Sequence, residues 1–293
     1  MNNILFKFLK GMTFIFTVQI LIACGAFIIQ SCQRSELFDS KKEIVAKKKF
    51  LNSVPTGIEN LSPIKITKLT DLSRTTNNQN TKTSQNEMAI ISLYSLPNIP
   101  SSNNINLNTL SSFSQLMNID GTEVSVTYSD GSTSDNISGT QELITSYEIS
   151  VQDAQQSLQP TLIEAKNYLL SKGLTDSDIQ GFLSADSDGP AMSESDLIPA
   201  VMMLIAEEER SNSLAHVDFT NFFITSAYAS HIGECAGDAL GTSAIAGAIA
   251  AGINTAAGKA LLKLAIRKVA TKALGWVGAA IFVYEFGDCM DWW

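Results

Sequence analysis

Six residues carry most of the reactive chemistry in this chain: Cys24, Cys32, Cys235, Cys289, His216 and His231. His231 and Cys235 are four apart, a spacing that puts two side chains on one helix face as metal ligands or as an activated thiol pair. No further His or Cys lies near them in the sequence, so neither a metal site nor a nucleophile is expected there. A phosphate-binding loop, a dinucleotide fingerprint, a nucleophile elbow and a zinc-protease helix are all missing from the sequence. Spaced acids occur in SADSDG, from Ser184, and in YSDGSTSD, from Tyr128. Both fall short of a full calcium loop and read as turns. No catalytic residue, metal or cofactor is therefore assigned. The net charge of −9 argues against nucleic acid as a partner.

The cysteines make sense once the compartment is known, and the first 32 residues indicate it. MNNILFKFLKGMTFIFTVQILIACGAFIIQSC places Lys7 and Lys10 before an apolar run. That is the layout of an export signal. LIAC, ending at Cys24, resembles the lipobox of bacterial lipoproteins, and IQSC, ending at Cys32, is a looser match. The chain stays apolar after Cys24 (GAFII) and turns polar at once after Cys32 (QRSE). Cys32 is therefore the preferred lipidation site, with Cys24 as the alternative. The resemblance implies a diacylglyceryl-modified cysteine holding the chain in a membrane of the cell envelope. The outer membrane or cell surface is favoured over the inner membrane. An uncleaved spanning helix over Gly11–Ser31 and ordinary secretion are the competing readings. In an exported chain the two remaining cysteines, Cys235 and Cys289, are expected to pair. Closing so long a loop removes unfolded-state entropy worth about 4 kcal/mol.

The intervening chain reads as mainly α, in three parts. Residues 33–140 form a polar, partly disordered linker. Lys41, Lys42, Lys47, Lys48 and Lys49 make a basic stalk, and runs such as SRTTNNQNTKTSQN bury too little apolar surface to order themselves. EMAIISLYSL and TEVSVTYSDGST interrupt the linker as one or two weak strands, the second ending in the turn signal Asp130-Gly131. Residues 141–218 carry 3 Lys and Arg against 14 Asp and Glu and read as a small acidic helical domain. Leu162, Ala165 and Leu169 share a face. Gly173 ends that helix, and Thr175 with Asp178 caps the next. Ser195 or Asp196 caps a third, lined by Leu197, Val201, Leu204 and Ile205. Glu207, Glu208 and Glu209 read as a solvated face. Residues 155–210, with AKNYLLSKGLTDSDIQ followed by ESDLIPAVMMLIAEEE, resemble exported lipoproteins of Bacteroides-type bacteria. That likeness implies a location and no chemistry.

Residues 230–293 form an apolar and basic helical domain. Gly241, Ala244, Ala248, Gly252 and Ala256 lay small residues along one strip, which allows close helix approach and self-association. A turn is expected at Asn254–Gly258. Lys259, Lys263, Arg267 and Lys268 then lie opposite Leu262, Ala265, Ile266, Val269 and Ala273 on an amphipathic helix. Lys272 extends the basic run. GWVGAAIFVYEF continues the helix, which carries Trp276, and the chain ends in Trp292 and Trp293. The expectation is a disulfide-tied helical hairpin, similar in style to Gly/Ala-rich, Lys-studded bacteriocins. The likeness implies permeabilisation of a lipid bilayer, with Lys259, Lys263, Arg267, Lys268, Lys272, Trp276, Trp292 and Trp293 meeting it. Anionic lipid or another envelope protein are the other partners considered. The alternative is a non-catalytic surface lipoprotein with a structural or partner-binding role, in which the same small residues pack a compact helical domain. Ala227 and Ala229 form a small-x-small motif whose cleavage would cut off residues 230–293. The upstream acids would then serve as a neutralising pro-segment.

Overall fold

The computed structural model describes residues 41–69, 87–95, 107, 109–119, 122–128, 131, 133–134, 141–184, 192–215, 242–270 and 275–292, with the backbone alone at 134, 211–215 and 242. Cys24, Cys32, His216, Ala227, Ala229, His231, Cys235, Lys272 and Trp293 lie outside the described residues. The chain divides into two compact units, Met1–Val45 and Ala46–Trp293. Of the first, residues 41–45 are described, and they are helical. The rest of this section concerns the second.

Helix α1 covers residues 41–61. In the second unit its Ala46, Phe50, Val54 and Leu61 are buried, a stripe at helical spacing. What the lysines suggested as a stalk is a core helix, with Lys48 and Lys49 on its exposed side. Five strands follow: β1 (Thr67–Lys68), β2 (Met88–Ser95), β3 (Thr122–Thr127), β4 (Thr133–Ser134) and β5 (Leu143–Ser150). They form one antiparallel sheet in the order β1-β5-β2-β3-β4. A short helix, α2 (Phe113–Met117), precedes β3. Ile91 lies opposite both Val126 and Tyr147, and Ala89 opposite Ile149. Alternation puts these residues on one face, and all are buried. Ser92, opposite Ser125 and Ser146, belongs to the other face.

Where residues 33–140 are described, this sheet and α1 correct the linker expected there; the run SRTTNNQNTKTSQN lies outside the described residues. Val126, Tyr147 and the helical core residues belong to one continuous hydrophobic cluster. β5, placed by sequence in the acidic helical domain of residues 141–218, lies between β1 and β2. No separate unit begins at residue 141 or 230, because the buried surface is shared across those points.

The remaining elements are helical: α3 (Val151–Ser171), α4 (Asp176–Leu183), a single 3-10 turn (Glu194–Asp196), α5 (Leu197–Ala215), α6 (Thr242–Ala251), α7 (Ala256–Ala270) and α8 (Gly275–Cys289). Mainly helical is thus the correct coarse class. Local chemistry explains the boundaries. Ser150 caps α3, accepting from the Asp153 N–H at 3.2 Å. Gly173, at φ +82, ends it. Thr175 and Asp178 form the expected capping box. The third cap is Ser193, not Ser195 or Asp196, and Asp196 is its capping-box partner. Helices α1 and α3 cross closely at Gly57, where a Cβ would come within 2.9 Å of Thr161 Oγ1. Thr161 and Ser157 hydroxyls donate to the Ser53 and Asn60 carbonyls of α1, each at 3.1 Å.

In the tail, α6 and α7 pack as a pair, turning at Gly252 (φ +83) slightly before the expected place. Ala244 and Ala248 of the small-residue strip face this chain's own core. The second arm is not continuous: α7 and α8 are bent by 96° to one another. The disulfide-tied hairpin is not supported, since no described residue closes such a bond. Cys289 is in the disulfide-bonded state, but Cys24, Cys32 and Cys235, the other cysteines of the chain, all lie outside the described residues.

Candidate functional site

The described residues among those expected to meet a bilayer do not form one exposed face. On α7, Leu262, Ala265, Ile266 and Val269 are buried, as the amphipathic pattern requires, but against the protein. Among the basic residues opposite, Lys263 and Arg267 are half-buried and Lys268 is exposed. Each of the three makes an interaction of its own. Lys259 binds both carboxylate oxygens of Asp178 on α4 at 2.8 Å. Trp276 and Trp292 are half-buried and pack on the core, with Trp292 edge-on to Phe286 at 5.7 Å. In α8, Val277, Ala279, Ala280, Val283 and Phe286 are buried. The apolar stretch that reads as membrane-seeking is therefore the central helix of a folded body.

At the Lys259–Asp178 pair an acid of residues 141–218 meets the basic stripe. The Lys259 ammonium, helped by the Thr175 N–H and hydroxyl, lowers the Asp178 carboxyl to about 2. A carboxyl held low stabilises the fold above the ordinary carboxylate range. That contribution is lost as pH falls through about 2. Lys259→Met is expected to return Asp178 toward its ordinary value, read by carboxyl NMR titration. An unchanged titration would assign the shift to the Thr175 cap alone.

The glutamate triplet corrects another expectation. Glu207 and Glu208 are 5 % and 8 % exposed, not solvated. Helix α5 is buried on all sides from Leu197 to Ala206, so its next turn is still inside. Each acid has found a cation there: Glu207 binds Arg210, Glu208 binds Lys172 and the Tyr168 hydroxyl, and Glu209 binds Lys47 of α1. The sequence signal was available but indirect, since the triplet directly continues a wholly apolar run.

A second polar cluster lies at the start of α8. The Asp196 carboxyl, 2 % exposed, accepts from the Ser193 N–H at 2.8 Å and from the Gly275 N–H. Its Oδ1 has no hydrogen-bond partner among the described residues. The Tyr128 hydroxyl accepts from the N–H groups of Val277 and Gly278 at 3.2 and 3.3 Å. These are among the N–H groups that a helix start cannot satisfy by itself. Gly275 has φ +63, and a Cβ there would come within 2.9 Å of Tyr128 Oη. Burial raises the Asp196 carboxyl to about 7, against the lowering effect of its two N–H donors. Burial likewise pushes the Tyr128 phenol well above its usual range. Sequence reasoning singled out Asp196 only as a helix cap and Tyr128 not at all, because no local pattern links residues 128, 196 and 275.

An open groove of about 510 Å³ lies between the end of α1 and the start of α3, lined by Asn60, Pro63, Ile64, Lys65, Asp153, Gln156 and Ser157. Among the described residues no group of three or more His, Cys, Asp or Glu is placed to hold a metal ion. Comparison with known protein families, with curated proteins and with solved structures finds no match.

Proposed function

We propose that this is a lipid-anchored, non-catalytic protein of the cell envelope, whose tail is a structural part of a folded body. The carrying observation is the burial of the apolar faces of α7 and α8 in the same cluster as the sheet. Exposing that surface to lipid would mean withdrawing residues such as Val283 and Phe286, both at most 1 % exposed, from the core. The anchor rests on the sequence of residues 1–32, with Cys32 carrying the lipid, and Cys235 is the proposed partner of Cys289. Cleavage after Ala229 would not by itself free the tail, since α7 and α8 pack with α3, α4 and α5.

A second reading keeps the membrane-active tail. No single described helix is long and apolar enough to cross a membrane, but α7 and α8 together meet that length and composition. Straightening them would require the body to open.

One preparation tests both readings. The full chain, oxidised, is added to dye-loaded vesicles of anionic bacterial lipid while near-UV circular dichroism follows tertiary packing. Retained dye with native packing is the expected result. Release at low protein-to-lipid ratio would overturn it in favour of the membrane-active reading. In cells, labelled palmitate should enter the wild-type chain and be lost in Cys32→Ala. Loss in Cys24→Ala instead would move the anchor, and label in neither chain would remove it.

A further inference from the structure

The start of α8 is held by two groups from distant parts of the chain, and one of them is a carboxyl with a buried oxygen, Oδ1, that has no hydrogen-bond partner among the described residues. An ionised carboxylate in that position holds one oxygen buried from bulk solvent without a donor among the described residues, which costs more than leaving a neutral acid half-paired. Opening the contact between the Glu194–Asp196 turn and Gly275 would hydrate the ion. We propose that Asp196 and Tyr128 form an internal, proton-operated latch on the N-terminus of α8, closed while the Asp196 carboxyl is protonated and loosened when it ionises.

Two carboxyls raised to about 7 by burial bear on α8, Asp196 at its start and Glu285 further along it, the latter raised also by Glu123, so Asp196 is isolated as the titrating member in a Glu285→Gln background. The Glu194–Asp196 turn packs against α3, α5, α7 and α8. From α3, Lys166 is taken by Glu194. From α7, Lys259 is taken by Asp178, and Lys263, Arg267 and Lys268 have interactions of their own. Helix α5 has no charged side chain before Glu207, and α8 none before Glu285. On the strand side, Asp196 and Glu87 both act on the Tyr128 phenol, in the direction that keeps it protonated. Burial comes first among the influences on Asp196, followed by the N–H groups of Ser193 and Gly275.

The sign follows from linkage. The folded-state carboxyl is raised, so its stabilising contribution is complete below the ordinary carboxylate range and is lost as pH rises through about 7. The latch is therefore tightest in mild acid. It adds a regulated contact to the proposed tail-in-core arrangement and does not depend on the lipid anchor.

Hydrogen exchange of the full chain, corrected for the intrinsic pH dependence of exchange, reads the latch directly at residues 275–283. Every chain compared carries Glu285→Gln; in the one that is otherwise wild type, protection there should fall by up to about tenfold per pH unit between pH 5 and 7 and level off above, as expected for one proton released per opening. In Asp196→Asn the protection should not change over that range. Tyr128→Phe, which keeps the carboxyl but removes the oxygen facing Val277 and Gly278, should show lower protection at every pH with the wild-type slope. A flat wild-type profile, or the same slope in Asp196→Asn, would overturn the proposal. Should Asp196→Asn not fold, a Tyr128→Phe slope different from the wild type would overturn it as well.

Discussion

Phe286→Ala is expected to destabilise the whole Ala46–Trp293 unit by about 3–5 kcal/mol, the usual cost of deleting a fully buried aromatic ring. Phe286 is 1 % exposed, stacks on Phe282 at 5.2 Å and meets Trp292 edge-on. Its helix packs with α2, α3 and α5. The location of the loss tells more than its size. If the tail were a separable module, truncating its core would melt residues 242–292 and leave the sheet standing. Because the hydrophobic cluster is continuous, the sheet and helices should lose stability together in one transition. Chemical denaturation, followed by far-UV dichroism for the helices and by exchange protection of β2 and β5, separates these outcomes. Coincident midpoints, both lowered, support one body. A lowered helical midpoint beside an unchanged sheet would restore the tail as an independent domain and strengthen the membrane-active reading.

The sequence was legible where a local pattern is decided locally. The capping box at Thr175, the stop at Gly173 and the buried faces of α3 and α7 all follow from periodicity and turn chemistry over a few residues. It misled where a composition outweighed a pattern. The stripe of Ala46, Phe50, Val54 and Leu61 was present, but five lysines around it suggested a stalk. In β5, Thr145, Tyr147 and Ile149 alternate as strand residues do. They sit next to a long helical pattern and were absorbed into it. The tail shows a different limit. An apolar helix with small residues suits a membrane or a core equally well, and the choice depends on what the rest of the chain offers to pack against it. Here that is the sheet and α3, which the sequence had assigned to separate regions. The Asp196–Tyr128 cluster could not be read at all, since its parts are about 70 to 150 residues apart and carry no motif.

The glutamates of α5 lead to the second large effect. Glu208→Ala should cost about 3–5 kcal/mol, because it leaves a charge beside α3 without its carboxylate in a site largely closed to water. The Lys172 and Glu208 side chains are 11 % and 10 % exposed, and the Tyr168 hydroxyl donates to the same carboxylate. Lys172 also lies over the Tyr168 ring at 5.3 Å from its centroid, so the three groups act as one cluster. The cost of the single change therefore overstates what the pair contributes. Glu208→Ala combined with Lys172→Met removes both charges, and the double variant should be more stable than Glu208→Ala alone. That recovery, measured by denaturant midpoint, would show that the penalty comes from the Lys172 charge separated from Glu208. Simple addition of the two single costs would mean that Glu208 stabilises the fold by other contacts. By contrast, Glu209→Ala should cost less than about 1 kcal/mol, since its bridge to Lys47 is about a third to a quarter exposed on its two sides. A steep order among three adjacent glutamates would follow from burial alone. It would also show that the end of α5, from which the chain continues toward Ala227 and Ala229, is fixed to α3 by a desolvated pair.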